Sequence, residues 1–461
     1  MKKIVLIVQL MSAAGLCALS STMNHRLMTT APLLYKQIDY THKNLSIEFE
    51  PIVAGSFSPE HTIANITPNG SWHLSLNQQG LGDINPAWLF LGSKNGLIDY
   101  DSTLVLTPTQ QQYGLLFHTY KQFEYAFFDV RTSLIQSKSS INLHEIGGGN
   151  GGLVNYDGVV ITDALQAFTQ NDFEYGKIGV APEVIGFENI QVMFGASGKI
   201  GTLKEDTIPL LAGFILFEVP TGAGTTAEYL GQAQVGTNHW GFGFGFDCMI
   251  AQDNEFSIVL GGNYRHFIGN WETRSFDLTE NGPWSRYLLV EPLDNFTNII
   301  APSVIGYPAI NILTQQAFIN GRNEINVYAR LEKKFQGCLF ELSYDFFYNQ
   351  AESIEKVNAI PSGYGIYALN TAGGITTSSS AKINEYPTID QQDYYPVQLV
   401  TSDLNLASGA AGLWMSNTIA ARLQRVQSWY TYGIGGSVDC AMSAQAISNW
   451  SVWANFEILL P

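Results

Sequence analysis

The chain has 461 residues, of which 14% are charged and 12% aromatic, with 44 glycines and a formal net charge of -17. Charge this sparse lies well under the ~25% usual in soluble domains, and a chain this long needs no disulfide to hold a core. The acidic balance excludes the basic footprint of a nucleic-acid binder and opposes docking on anionic lipid surfaces.

Residues 1–20 read as a secretory signal. Lys2 and Lys3 precede an apolar core from Ile4 to Leu16 and a small-x-small site at Ala18-Leu19-Ser20. Leu16 is too large to stand before a lipidated Cys17, and Gln9 interrupts a core already short for an anchor. No later run approaches the ~20 apolar residues of a membrane-spanning helix.

The first strand pattern is NLSIEFEPIVA, where Leu45, Ile47 and Phe49 alternate with Ser46, Glu48 and Glu50. Such alternation sets the two groups on opposite faces of a strand. Residues 57–100 carry the turn signals PNG, GLGD and NPAW, and read as an extramembrane loop or as a segment in the mouth or lumen of a barrel. TPTQQQYGLLFHTYKQF and AFFDVRTSLIQSKSSINL form a hairpin pattern, with Asp129, Arg131 and Ser133 opposed to Phe128, Val130, Thr132 and Leu134. GGGNGG at 147–152 reads as a flexible connection. TDALQAF at 162–168 reads as the one short helix, starting at Thr162 or Asp163.

The clearest pattern lies between Asp206 and Phe267. Within NHWGFGFGFDCMIA, Phe242, Phe244, Phe246, Cys248 and Ile250 share one parity, and Gly241, Gly243, Gly245 and Asp247 the other. A soluble sheet puts Lys, Glu and Thr on its outer face. A greasy face opposite glycines suits a strand between lipid and a lumen. EINVYARLEKKF and CLFELSYDFFYNQ alternate in the same way, and residues 357–412, rich in Ser, Thr, Gly, Pro and Tyr, read as a long outer loop. In the last strand Trp450, Val452, Ala454, Phe456 and Ile458 take the lipid parity. Cys248, Cys338 and Cys440 each fall on the apolar parity of a strand, an odd and widely spaced set that argues against disulfides or a metal cluster. The fold class is therefore all-β: an antiparallel transmembrane β-barrel of about 12–14 strands with long outer loops and one short helix. It takes residues 21–461 as a single domain, with a soluble secreted β-protein as the competing reading.

Parity also selects an inward-facing charge set: Glu48, Glu50, Asp129, Arg131, Asp247, Arg265, Arg330, Glu332, Glu341, Asp345, Asp439 and Glu457. Nine acids cannot all pair with three arginines, which points to a hydrated lumen favouring cations. A closed interior whose charges pair among themselves is the alternative. Trp240, Trp271, Trp284, Trp414, Trp429 and Trp450 stand near strand ends and suit interfacial girdles. GASGKIGT fails as a phosphate loop, because its first glycine is missing and Ile200 replaces the hydroxyl residue. HExxH, CxxC, calcium-loop and GxSxG patterns do not occur, and nothing marks a catalytic pair among the eight scattered histidines, including His118, His239 and His266. No enzyme activity, cofactor or metal is expected.

With its leader, alternating strands and aromatic-bearing last strand, the chain resembles Gram-negative outer-membrane barrels over residues 43–461. It departs from them in ending Ile458-Leu459-Leu460-Pro461 rather than on an aromatic residue. FEVPTG followed by GTNHWGFGFGFD is similar to the "LPTG … GTGSW … GLGL" hairpin of the porin-like family associated with aromatic-compound degradation, a relative of the long-chain fatty-acid channels. Asn85-Pro86-Ala87 is similar to the hatch motif of those channels. The resemblance implies passage of small, often hydrophobic molecules across the outer membrane, and carries over no substrate residue. The expected function is a passive outer-membrane, porin-like channel for small hydrophobic or cationic solutes. Its partners would be outer-membrane lipid and the solutes, with the 57–110 and 357–412 segments constricting it. The alternative is a barrel-anchored surface adhesin without transport.

Overall fold

The computed structural model describes residues 45–59, 71–77, 83–91, 100–149, 152–199, 209–222, 224–251, 255–292, 306–366, 398–443 and 446–460, with positions 63, 67, 370–371 and 374–375. The leader expected at 1–20 lies outside the described residues, as do residues 376–397 of the long outer loop.

Fourteen strands among the described residues form one antiparallel sheet; His73–Asn77 and Val184–Phe187 are short additions to it, and the other twelve form the ring. In chain order they are β1 (Leu45–Phe57), β2 (Asp101–Gln122), β3 (Ala126–Gly148), β4 (Ile190–Lys199), β5 (Pro209–Val219) and β6 (Gly241–Ala251). They continue as β7 (Phe256–Phe267), β8 (Arg322–Phe335), β9 (Cys338–Asn349), β10 (Trp414–Val426), β11 (Tyr430–Ala441) and β12 (Ser448–Leu460). Each strand pairs with its neighbours in sequence, and β1 closes the ring by pairing with both β2 and β12. Closure consumes the edges of the sheet, the condition for a sheet to sit in lipid.

The alternation read from the sequence becomes the two faces of this wall. Phe242, Phe244 and Phe246 are 48%, 61% and 54% exposed, while Gly241, Gly243 and Gly245 point inward. Ile215, Val327, Tyr344, Ile419, Ile434 and Val452 extend the exposed apolar surface around the ring. In water each exposed apolar Å² forgoes roughly 25 cal/mol of burial, so a continuous outward band of this kind has lipid as its solvent. The protein is a transmembrane β-barrel.

The two ends of the barrel differ. β2–β3, β8–β9 and β10–β11 are joined by two or three residues, and these turns lie at the end that also holds Leu45 and Leu460. The six connections at the opposite end include 58–100, 149–189, 268–321 and 350–413. All six supply buried apolar residues to one cluster, among them Leu76, Trp88, Phe168, Leu230, Trp284, Ile310, Leu404 and Ile447. The long connections thus share one hydrophobic core, to which the adjoining ends of β2 and β3 add Leu104, Leu106 and Ile141, and form a cap over that mouth.

Local chemistry places several parts of the cap. The helix expected over 162–168 is α1 (Ala164–Phe168), whose N-cap Asp163 accepts from the Gln166 N–H at 2.8 Å. The backbone N–H of Ala164 reaches the Tyr100 hydroxyl at 3.1 Å and Glu145 on β3 at 3.2 Å, which fixes the helix to the rim. A second short helix that the sequence did not announce, α2 (Ile310–Leu313), lies in the β7–β8 connection. In the NPAW turn Asn85 accepts from the Ala87 N–H at 3.1 Å and places Trp88 in the cap core. Gly147 and Gly148, read as part of a flexible connection, instead continue β3 to its end.

Two tryptophans correct the girdle expectation. Trp240, Trp271, Trp429 and Trp450 are outward and exposed, but Trp284 and Trp414 are each only 2% exposed. Trp284 belongs to the cap core, and Trp414 faces into the barrel against Phe347, with ring centroids 5.2 Å apart. Position near a strand end is shared by both kinds of tryptophan; only parity and the cap separate them.

Candidate functional site

The barrel interior is where the charge set converges. Glu48, Glu50, Asp129, Arg131, Arg265, Arg330, Glu332, Glu341, Asp345, Asp439 and Glu457 are all 7% exposed or less, and Asp247 is partly buried. Strand parity aims each of them away from lipid, and closure of the ring then encloses them.

Starting on β3, Arg131 donates to Asp129 through Nε at 3.0 Å and Nη2 at 2.7 Å. Asp129 meets His118 Nε2 of β2 at 3.0 Å, and His118 Nδ1 stands 3.3 Å from Glu48 of β1. Asn455 of β12 donates to the other Glu48 oxygen at 3.2 Å. Arg422 of β10 lies 3.9 Å from Glu48 and 3.6 Å from Glu50, and its Nε donates to Glu341 of β9. Glu341 is in register with Glu332 of β8, which pairs with Arg330 at 3.0 Å and accepts from Ser257 of β7 at 2.7 Å. A polar belt therefore touches eight strands. β4 and β5 present an apolar strip to the interior, where Met193, Ala212, Phe214 and Leu216 pack with Tyr120 and Phe127.

A second group lies toward the cap. Arg265 of β7 bridges Glu218 of β5 at 2.8 Å and Glu324 of β8 at 2.9 Å. Glu218 also accepts from Asn189 and Gln191 at 3.0 and 3.2 Å. Midway along β6 and β8 the Tyr328 hydroxyl donates to Asp247, and in the cap halves of β10 and β11 Thr418 donates to Asp439 at 2.9 Å.

The inward glycines have a steric role. A Cβ on Gly245 would stand 2.3 Å from the Phe214 ring, and one on Gly261 2.2 Å from an Asp247 oxygen and 2.7 Å from Tyr328. The small face of β6, read from sequence as a lumen surface, is covered by the long side chains of its neighbours. A similar contact explains the FEVPTG…GTNHW segment: a Cβ on Gly222 would stand 1.9 Å from the Val235 carbonyl, so the start and the end of the β5–β6 connection cross backbone to backbone. Asn189 ties that crossing by accepting from the Thr237 N–H at 3.0 Å and donating to its hydroxyl at 2.6 Å.

At the rim a further cluster fastens cap to barrel. His239 stands 3.0 Å from Glu272, and Arg274 lies 2.7 Å from Glu272 and 3.2 Å from Glu352. Arg322 completes it at 2.6 Å from Glu352, whose other oxygen accepts from the Ala411 N–H at 2.9 Å. Burial opposes the charge on Glu272, but Arg274 and the His239 hydrogen bond outweigh it and hold the carboxyl down to about 2.

Sequence reasoning missed four members of the interior: His118, Glu218, Glu324 and Arg422. Glu324 and His118 stood on readable parities. Glu218 sits in FILFEV, apolar on both faces, and Arg422 follows Ala420-Ala421, small on both faces, so alternation carried little signal there.

Closed ring, outward apolar band and acid-rich interior define a transmembrane barrel of the outer-membrane type. No protein-family model matches the sequence, and a search of curated proteins returns no match. Similar solved structures include an outer membrane channel from Pseudomonas putida F1, at 7% identity over 92% of this chain and 99% of that one, with a TM-score of 0.41. The Pseudomonas putida toluene transporter TodX aligns at 8% identity over 96% and 95%, with a TM-score of 0.27. The transport unit of the autotransporter AIDA-I from Escherichia coli aligns at 7% over 94% and 95%, also at 0.27. At these identities and TM-scores the likenesses carry no argument about function.

Proposed function

We propose that the protein is an outer-membrane channel that passes small solutes through the barrel, with interior carboxylates favouring cations. The observation that carries this reading is the acid-rich belt. A barrel serving only as an anchor can fill its interior with apolar side chains, and buried charge is costly unless paired. Here carboxylates outnumber arginines along a belt that touches eight of twelve strands, opposite an apolar strip on β4 and β5 that would suit the hydrophobic part of a solute. The long connections would face outward, as in other barrels of this class, and residues 1–20 would direct export. The adhesin alternative assigns function to the cap and none to the belt.

The test is single-channel current through the refolded protein in a planar bilayer under a salt gradient. Discrete openings with a cation-selective reversal potential, reduced in E341Q and D345N, are expected. A folded barrel that stays silent at every voltage, with and without the capping connections, would overturn the reading.

A further inference from the structure

Arg422 lies differently from the other two arginines of the belt. Arg131 and Arg330 fold back on carboxylates of their own strands, Asp129 and Glu332. Arg422 is in register with Glu341 on one side and Gly435 on the other, yet its guanidinium also faces Glu48 and Glu50 of β1. β10 and β1 are separated by β11 and β12, three strand spacings or roughly 14 Å along the wall. The side chains can meet only by extending into the lumen. Between them the inward glycines of β11 add no side chains of their own and are covered by neighbours: a Cβ on Gly433 would stand 2.8 Å from Gln424 and 2.7 Å from Asn455, and one on Gly435 2.5 Å from the Trp453 ring. The guanidinium is thus held off the wall, 4% exposed, among three carboxylates from β1 and β9.

We propose that Arg422 is the selectivity-determining residue of the channel, a tethered cation seated on the site that a permeating cation must use. The inference rests on the channel reading. Glu48, Glu50 and Glu341 form the receptor, and Glu332, in register with Glu341, adds to its negative field. A guanidinium matches carboxylates with several directed donors, so a competing cation enters only as the tether releases one of them. The solute class favoured is a small monovalent cation with several N–H donors, of the guanidinium or alkylammonium type.

The experiment compares wild type, R422Q and E341Q in planar bilayers, with heat-modifiable migration confirming that each barrel is folded. R422Q is expected to raise cation conductance by roughly an order of magnitude, since a carboxylate-lined constriction concentrates counter-ions, and to move the reversal potential further toward the cation. Millimolar guanidinium chloride should then block R422Q far more strongly than wild type, and E341Q in the R422Q background should relieve that block. R422Q with the selectivity and guanidinium sensitivity of wild type would overturn the proposal and leave the channel reading intact. Silence in both folded proteins would defeat the channel reading itself.

Discussion

Arg265 reaches Glu218 at 2.8 Å by crossing the glycine face of β6, which lies between their two strands. A side chain on Gly243 would collide with this path, since a Cβ there would stand 2.1 Å from the Tyr264 carbonyl and 3.1 Å from Arg265 Cγ. The pair and the glycine are one structural device.

Removing the guanidinium should therefore cost far more than a surface ion pair. R265M leaves Glu218 and Glu324 buried without their shared cation, and about 3–5 kcal/mol of stability should be lost. Urea unfolding in detergent micelles measures it. Adding E218Q should restore part of the loss, and an R265M midpoint equal to wild type would show the bridge to be dispensable.

Overpacking the same face gives an independent check. G245A drives a methyl group into Phe214 and is expected to cost about 1–3 kcal/mol. F214L should relieve the clash, so the two substitutions together should be less damaging than the sum of their separate effects. Strict additivity would mean that the ring does not occupy the space above Gly245.

The cap should open without unfolding the barrel, because its apolar cluster is built mainly from the connections, with only the cap ends of β2 and β3 adding Leu104, Leu106 and Ile141. W284A removes a buried side chain from that cluster and should weaken it by about 3–5 kcal/mol. Limited proteolysis should then cut the long connections faster while heat-modifiable migration stays as in wild type. W429A, on the exposed outer surface at the turn end, should leave cap proteolysis unchanged.

Within the cap, Asp172 gives a pH dependence of defined sign. Burial, and then the neighbouring Asp157 carboxyl, push its pKa up from 3.8 to about 6. A folded-state pKa above the unfolded value favours the protonated form in the fold. Its contribution is present below pH 3.8 and is lost as pH rises through about 6. Hydrogen-exchange protection of residues 155–172, corrected for intrinsic rates, should fall across that window in wild type and change little in D157N. The opposite slope would contradict the assigned contact.

How much of this was legible beforehand depends on distance along the chain. Alternation of residue types is local, so inward and outward faces of β3, β6, β9 and β12 could be read directly, and with them the barrel class and six of the twelve charges assigned inward: Asp129, Arg131, Asp247, Glu341, Asp345 and Glu457. The helix that starts at Asp163 was legible because a cap and its helix are adjacent in sequence. Trp284 and Trp414 were misread because an indole near a strand end looks the same whether it meets lipid, a cap or a lumen.

What only the tertiary structure decided is who meets whom across the ring. The sequence determined that β6 and β11 carry glycines inward. The register and curvature of the closed sheet decided that Phe214, Arg265 and Trp453 lie over those glycines, and that Arg422 meets carboxylates three strands away. The physical reason is that side-chain direction follows from a period of two residues, while partnership follows from closure, which brings together residues as far apart in sequence as Glu48 and Asn455.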